Sequence, residues 1–169
     1  MEYIKIVLLA IAAAISYGIL HDQITVRVCI EYFTIGHPPV FSTTSPTWLA
    51  VGWGIIATWW VGLLLGVPLS ICAQRGTRPK VSAVELIRPL SKILCVMGIV
   101  ALLSGLAGFV AASNGWVWLL EPLRSLVPAE KHTLFLADLW SHVASYAAGF
   151  AGGIGLCWMT WKRRKAELK

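Results

Sequence analysis

Four long apolar stretches, separated by polar and proline- or glycine-bearing connections, set the rhythm of this chain. The first runs from about Tyr3 to Leu20. The second runs from about Pro46 to Cys72, with Ser45 in the N-cap position, Pro46 at the first helical position and Pro68 bending its end. Ser82-x-x-Glu85 is a capping-box pattern and opens the third segment. Pro89 lies inside it, so Ala83 to Arg88 is expected as an interfacial turn set at an angle to a span from about Leu90 to Ala112, stopped by Asn114-Gly115. The fourth segment begins as early as Ala129, after Pro128, and crosses from about Leu139 to Trp161. Each span has the roughly 20 residues that a bilayer core requires.

This pattern predicts an all-α integral membrane protein. A single domain over residues 1–169 is expected, formed as a bundle of four transmembrane helices. The composition agrees: 57% of residues are hydrophobic and 13% charged, too apolar for an ordinary soluble domain. At the start, Lys5, the Ile6–Ala14 run and Ala12-Ala13-Ala14 also have the outline of a secretory signal. The apolar run continues through Ile15, Tyr17, Ile19 and Leu20, which favours a retained helix.

Charge supplies the orientation. Eleven of the fourteen Lys and Arg residues fall at the N-terminus, in the second connection (Arg75, Arg78, Lys80, Arg88, Lys92) and in the C-terminal tail; Arg27, Arg124 and Lys131 belong to the other face. The positive-inside rule then puts both termini in the cytoplasm. The basic residues flank apolar runs, so the net charge of +6 is explained by topology, and no nucleic-acid partner is expected. The Lys162–Lys165 cluster can also attract anionic membrane lipid. Trp48, Trp116, Trp118 and Trp140 map near the outer boundary and Trp158 and Trp161 near the inner one, with Trp59 and Trp60 as mid-span exceptions. Small-residue pairs, Gly62-x-x-x-Gly66, Ser104-x-x-x-Gly108, Gly149-x-x-x-Gly153 and Ala151-x-x-x-Gly155, suit close helix packing, within the bundle or against another protein or a second copy. Cys29, Cys72, Cys95 and Cys157 are isolated and predict no disulfide framework.

All four histidines, His21, His37, His132 and His142, fall on the outer face together with Asp22, Glu31 and Asp138. Imidazole and carboxylate are the side chains of metal ligation and proton transfer near neutral pH. In Asp138-Leu-Trp-Ser-His142 the four-residue spacing puts both groups on one helix face, continued by Tyr146. A polar group at that depth needs a partner from another segment. The connection from His21 to Ser45 alternates apolar Ile24, Val26, Val28 and Ile30 with Thr25, Arg27, Cys29 and Glu31, which predicts an extended, structured outer loop. Arg27 and Glu31 are expected to pair with each other, or with Asp22 or Asp138, and Ile35-Gly36-His37-Pro38-Pro39 reads as a rigid turn.

The stretch His21-Asp22-Gln23-Ile24-Thr25 through Arg27-Val28-Cys29 and Glu31-Tyr32-Phe33-Thr34-Ile35-Gly36-His37-Pro38 resembles a group of small bacterial membrane proteins of uncharacterised function. The resemblance is specific within this loop and looser over the helices. It implies a bacterial inner-membrane setting and carries no activity or catalytic residues with it.

Three functional classes follow. The leading one is a structural, accessory or interaction protein, binding partners through its loop, its small-residue faces or its basic tail. The second is a divalent-metal or haem site drawn from His21, Glu31, His37, His132, Asp138 and His142; it requires at least three of these to meet. The third is a metal-assisted hydrolase with Glu31 or Asp138 as base. Ser141 beside His142 is no triad, because helical neighbours point in different directions. A thiol oxidase needs paired outer cysteines, and only Cys29 lies there. Ion transport is disfavoured by spans almost free of ionisable residues away from their ends.

Overall fold

A computed structural model describes residues 1–166, and side chains as far as Arg164. Lys169 and the side chain of Lys165, both counted in the basic tail, lie outside the described residues. The helices are α1 (Glu2–Val28), α2 (Ile30–Thr34), α3 (Pro46–Ile56), α4 (Trp59–Gln74), α5 (Ala83–Ser113), α6 (Leu123–Leu126) and α7 (His132–Ala166), with a 3₁₀ turn over Ala129–Lys131 before α7. Four helical segments are long and apolar enough to cross a membrane: Glu2–Val28, Pro46–Gln74, Ala83–Ser113 and Ala129–Arg164.

Side-chain chemistry explains most of the boundaries. Ser82 and Glu85 form the full capping box at the start of α5. Gly115, at φ 70°, ends that helix in the left-handed region that glycine tolerates. Pro46 starts α3 at its first turn, where a missing N–H costs nothing. Two expectations fail. Ala83–Arg88 is the first part of a continuous α5, because the capping box satisfies its N–H groups and Pro89 falls within the helix. The segment beyond His21 is also helical, through Val28, and resumes as α2 after the extended residue Cys29. The alternation that suggested a strand is overridden by burial: Asp22, Thr25 and Val26 form one helical face turned to the interior.

Glycines set the closest approaches. A Cβ at Gly54 would lie 2.5 Å from the backbone nitrogen of Ile19, and one at Gly62 would lie 2.6 Å from the Cα of Ile11. These contacts press α1 against α3 and α4, while α5 packs along α7. Gly108 seats Trp140, and Ser104 donates to the carbonyl of Trp140 at 3.1 Å. The Gly62/Gly66, Ser104/Gly108 and Gly149/Gly153 positions thus all make contacts inside the bundle.

Two apolar cores hold the ends of the bundle. One gathers Val26, Tyr32, Phe33, Leu49, Trp53 and Phe135, among others, at the histidine-bearing end; the other gathers Ile6, Leu69, Ala73, Val81, Leu86 and Leu156 at the basic end. At the basic end Arg164 is 0% exposed and donates to the carbonyls of Cys72, Arg75, Arg78 and Pro79. It thereby supplies donors to carbonyls at the C-terminal end of α4 and in the following turn, which a helix end leaves unpaired.

The second span is broken at Ala57–Thr58, between α3 and α4. A break at membrane depth frees backbone groups that need partners. The Tyr146 hydroxyl donates to the Ala57 carbonyl at 2.9 Å, and the Thr58 hydroxyl donates to the Gly54 carbonyl. Both sites open onto the same interior cavity.

Candidate functional site

The Gly18–Gly54 crossing sets the C-terminal turns of α1, and with them His21 and Asp22, against the rest of the bundle. His142 approaches from α7. Its Nε2 lies 3.3 Å from Asp22 Oδ1, and its Nδ1 lies 2.8 Å from the Asp138 backbone carbonyl. A carbonyl only accepts, so Nδ1 carries the hydrogen. In the neutral ring Nε2 then presents a lone pair toward a carboxylate. Two acceptors in that position need a proton or a cation between them.

His21 completes the group. One ligand atom from each of His21, Asp22 and His142 lies within 4.8 Å of the others. The His21 and His142 rings meet edge to face, with centroids 4.6 Å apart, and Tyr17 stacks on His21 at 5.6 Å. His21 Nε2 is shut off from solvent and has no hydrogen-bond partner among the described residues. Asp22 itself is 5% exposed. An unpartnered buried nitrogen beside a buried carboxylate is costly unless something joins them.

His37 faces the same cavity from the connection after α2. Its Nδ1 donates to the Tyr32 carbonyl at 2.8 Å, which leaves Nε2 as the lone-pair nitrogen, and burial holds its pKa below the ordinary imidazole value. Its ring packs against Trp53, with centroids 4.5 Å apart. Tyr32 lies on His142 at 4.5 Å, and burial raises the pKa of its hydroxyl, so it remains a proton donor. The cavity, with space of about 80 Å³, has Tyr17, Tyr32, Phe33, Trp53 and Tyr146 among its walls. A mainly apolar cavity with a few convergent polar groups is the usual form of a ligand site.

Of the six candidates read from the sequence, only His21 and His142 enter the ligand group; the third member is Asp22. The metal reading asks that three of the six meet; two of them do, joined by Asp22 from outside the six. His37 lines the cavity beside them. His132 is directed to the Val127 carbonyl at 2.9 Å and supports the turn before α7. Glu31 faces Lys131 at 3.8 Å and accepts from the Cys29 thiol at 3.4 Å. The expected Arg27–Glu31 pair is replaced: Arg27 donates to the Gln23 carbonyl, to Gln23 Oε1 and to Thr47 Oγ1, because helical α1 turns it back along its own face and toward α3. Asp138 is 2% exposed, with Oδ2 lacking a hydrogen-bond partner among the described residues. It touches the cluster through its backbone carbonyl. Asp22 was legible only through its place next to His21 at the end of a span.

Comparison with protein-family models, with curated proteins and with solved structures finds no match.

Proposed function

We propose that this is a multi-pass membrane protein that binds a divalent transition-metal ion through His21, Asp22 and His142, at the non-cytoplasmic end of its bundle. The observation that carries this reading is the facing of three ligand atoms within 4.8 Å, with His142 fixed by its bond to the Asp138 carbonyl. Metal-ligating histidines ordinarily donate their second ring N–H to a carbonyl or carboxylate, which orients the ring and defines the ligating nitrogen. Two imidazoles and one carboxylate suit zinc or iron(II) and leave positions open for another ligand. His37 is placed to supply a further nitrogen. Bonds of about 2.0–2.1 Å around a tetrahedral ion require ligand atoms about 3.3 Å apart. The His142–Asp22 pair already has that separation, and the His21 ligand atom lies within 4.8 Å of both.

A metal ion fits better than haem. With ring centroids 4.6 Å apart, His21 and His142 leave no room for a porphyrin between them. The accessory-protein reading loses part of its support, since the principal glycine pairs are engaged inside the bundle. The distribution of Lys and Arg supports cytoplasmic termini, and the loop resemblance supports a bacterial inner membrane.

The test is metal analysis of the full chain purified in detergent without chelator. Zinc or iron near one equivalent is expected in the wild type, falling at least tenfold in His21→Ala and His142→Ala. Equal metal contents in wild type and both variants, measured on folded protein, would overturn the reading.

A further inference from the structure

The histidine cavity does not end at the polar cluster. Its inner part is bounded by Ala14, Val61, Met97 and Gly149, and these same four residues bound a second, apolar space, partly open at its side, that continues toward the basic end as far as Leu69 and Leu156. All four spanning segments contribute to its wall, through Ala10 on α1, Leu65 on α4, Ile93 on α5 and Gly153 on α7. Because they share these four wall residues, the two spaces lie end to end, and together they outline a passage with a polar head and an apolar arm. His142 and Leu156 are fourteen residues apart on α7, so the passage follows that helix for about 21 Å at 1.5 Å per residue.

Water has little to bind in the arm, whose wall is almost wholly apolar. The head has the opposite character, with the unpartnered His21 nitrogen, the buried Asp22 carboxylate and the Tyr32 and Tyr146 hydroxyls. One molecule that satisfies both is an amphiphile with a single long chain and an oxygen-bearing head. The surrounding membrane is a reservoir of such chains.

We infer that the passage is a binding site for a single-chain acyl lipid, its carbonyl or carboxylate oxygen at His21, Asp22 and His142 and its chain in the arm between α1, α4, α5 and α7. The inference deepens the metal reading and rests on it for ligation of the head oxygen. Occupation of the arm by the chain is a separate observable. Ala14 lines both spaces and contributes only a methyl group, so a large side chain there should fill their junction and leave all three head ligands in place. Met97 guards the same junction from α5.

The experiment uses the full chain in phosphatidylcholine nanodiscs, photolabelled with palmitic acid carrying a diazirine near the end of its chain, and in a second arm with the corresponding monoacylglycerol. Labelled peptides are mapped by mass spectrometry, and metal is measured in the same samples. Labelling at Leu65, Leu94 or Met97 is expected, competed by the unlabelled lipid and reduced at least fivefold in Ala14→Phe. Met97→Trp, which closes the junction from the other side, gives the same reduction if Ala14→Phe does not fold. Preference between the two probes distinguishes a free carboxylate head from an ester. Labelling confined to lipid-facing Leu102, Leu103 and Leu106, unchanged by either variant, overturns the inference. Metal bound without labelling of the arm defeats the lipid site alone. Labelling of the arm without metal supports the lipid site and defeats the metal reading.

Discussion

His142 and Asp22, 120 residues apart in sequence, face each other at 3.3 Å across the interface of the first and last spanning helices. Their separation in the chain makes the contact a product of the whole bundle. Anything that parts α1 from its neighbours should therefore disturb the site before it unfolds the protein.

Gly54 offers such a change. A Cβ there meets the Ile19 backbone at 2.5 Å, a contact that no side-chain rotation can relieve. Gly54→Val is expected to cost about 1–3 kcal/mol, the usual range for overpacking. It should also lower metal content more than Gly155→Ala, since a Cβ at Gly155 meets nothing within 4 Å. Thermal unfolding and metal analysis of the two variants check this.

Arg164 anchors the opposite end. Replacing it by Met removes charged donors from four carbonyls and should destabilise the protein by about 3 kcal/mol, given about 1.5–3 kcal/mol for a single hydrogen bond to a charged group and strong non-additivity among bonds sharing one donor. Arg164→Lys should recover only part of this, because an ammonium cannot span the same acceptors. Metal bound per folded molecule should be unchanged in both, as Arg164 lies in the basic end. Denaturation in detergent, with metal content measured on the folded fraction, is the relevant comparison.

Cys29 gives a pH-dependent handle. Burial pushes its thiol up to about 12, so it remains protonated where a free thiol ionises, near 8.5. Since the raised value favours the protonated folded form, its stabilising contribution is fully present below the unfolded value and declines as pH rises from there toward about 12. At pH 8.5 iodoacetamide should modify Cys29 at least tenfold more slowly in the native protein than in denatured protein. Mass-spectrometric alkylation kinetics would detect comparable rates, which would contradict the burial described here.

Orientation is open to a direct check. Glu130→Cys, near the histidine-bearing end, should react with a membrane-impermeant maleimide added outside spheroplasts. Arg75→Cys, in the basic connection, should react only after permeabilisation. The reverse pattern would invert the topology drawn from the positive charges.

The four spans, the capping box and the Asn114-Gly115 stop were legible because each rests on local chemistry: apolar length, a reciprocal Ser82–Glu85 exchange, and a glycine able to take positive φ. The continuation of α1 to Val28 was not, since residues 24–31 alternate as a strand would and only the packing of Asp22, Thr25 and Val26 decides for helix. The gathering of histidines at one end could be seen from the chain, but the identity of the ligand group could not. Asp22 and His142 meet through the crossing at Gly18 and Gly54, which no spacing within a single segment records. Glu31 and His132 are diverted by Lys131 and the Val127 carbonyl, partners that exist only once the turn before α7 is formed.

The most direct test of the account is X-ray absorption spectroscopy of the zinc-loaded protein. It should show a first shell of nitrogen and oxygen at about 2.0–2.1 Å, with the outer-shell scattering of two imidazoles and loss of one imidazole in His142→Ala. A shell of water oxygens without imidazole scattering, identical in wild type and His142→Ala, would contradict the account.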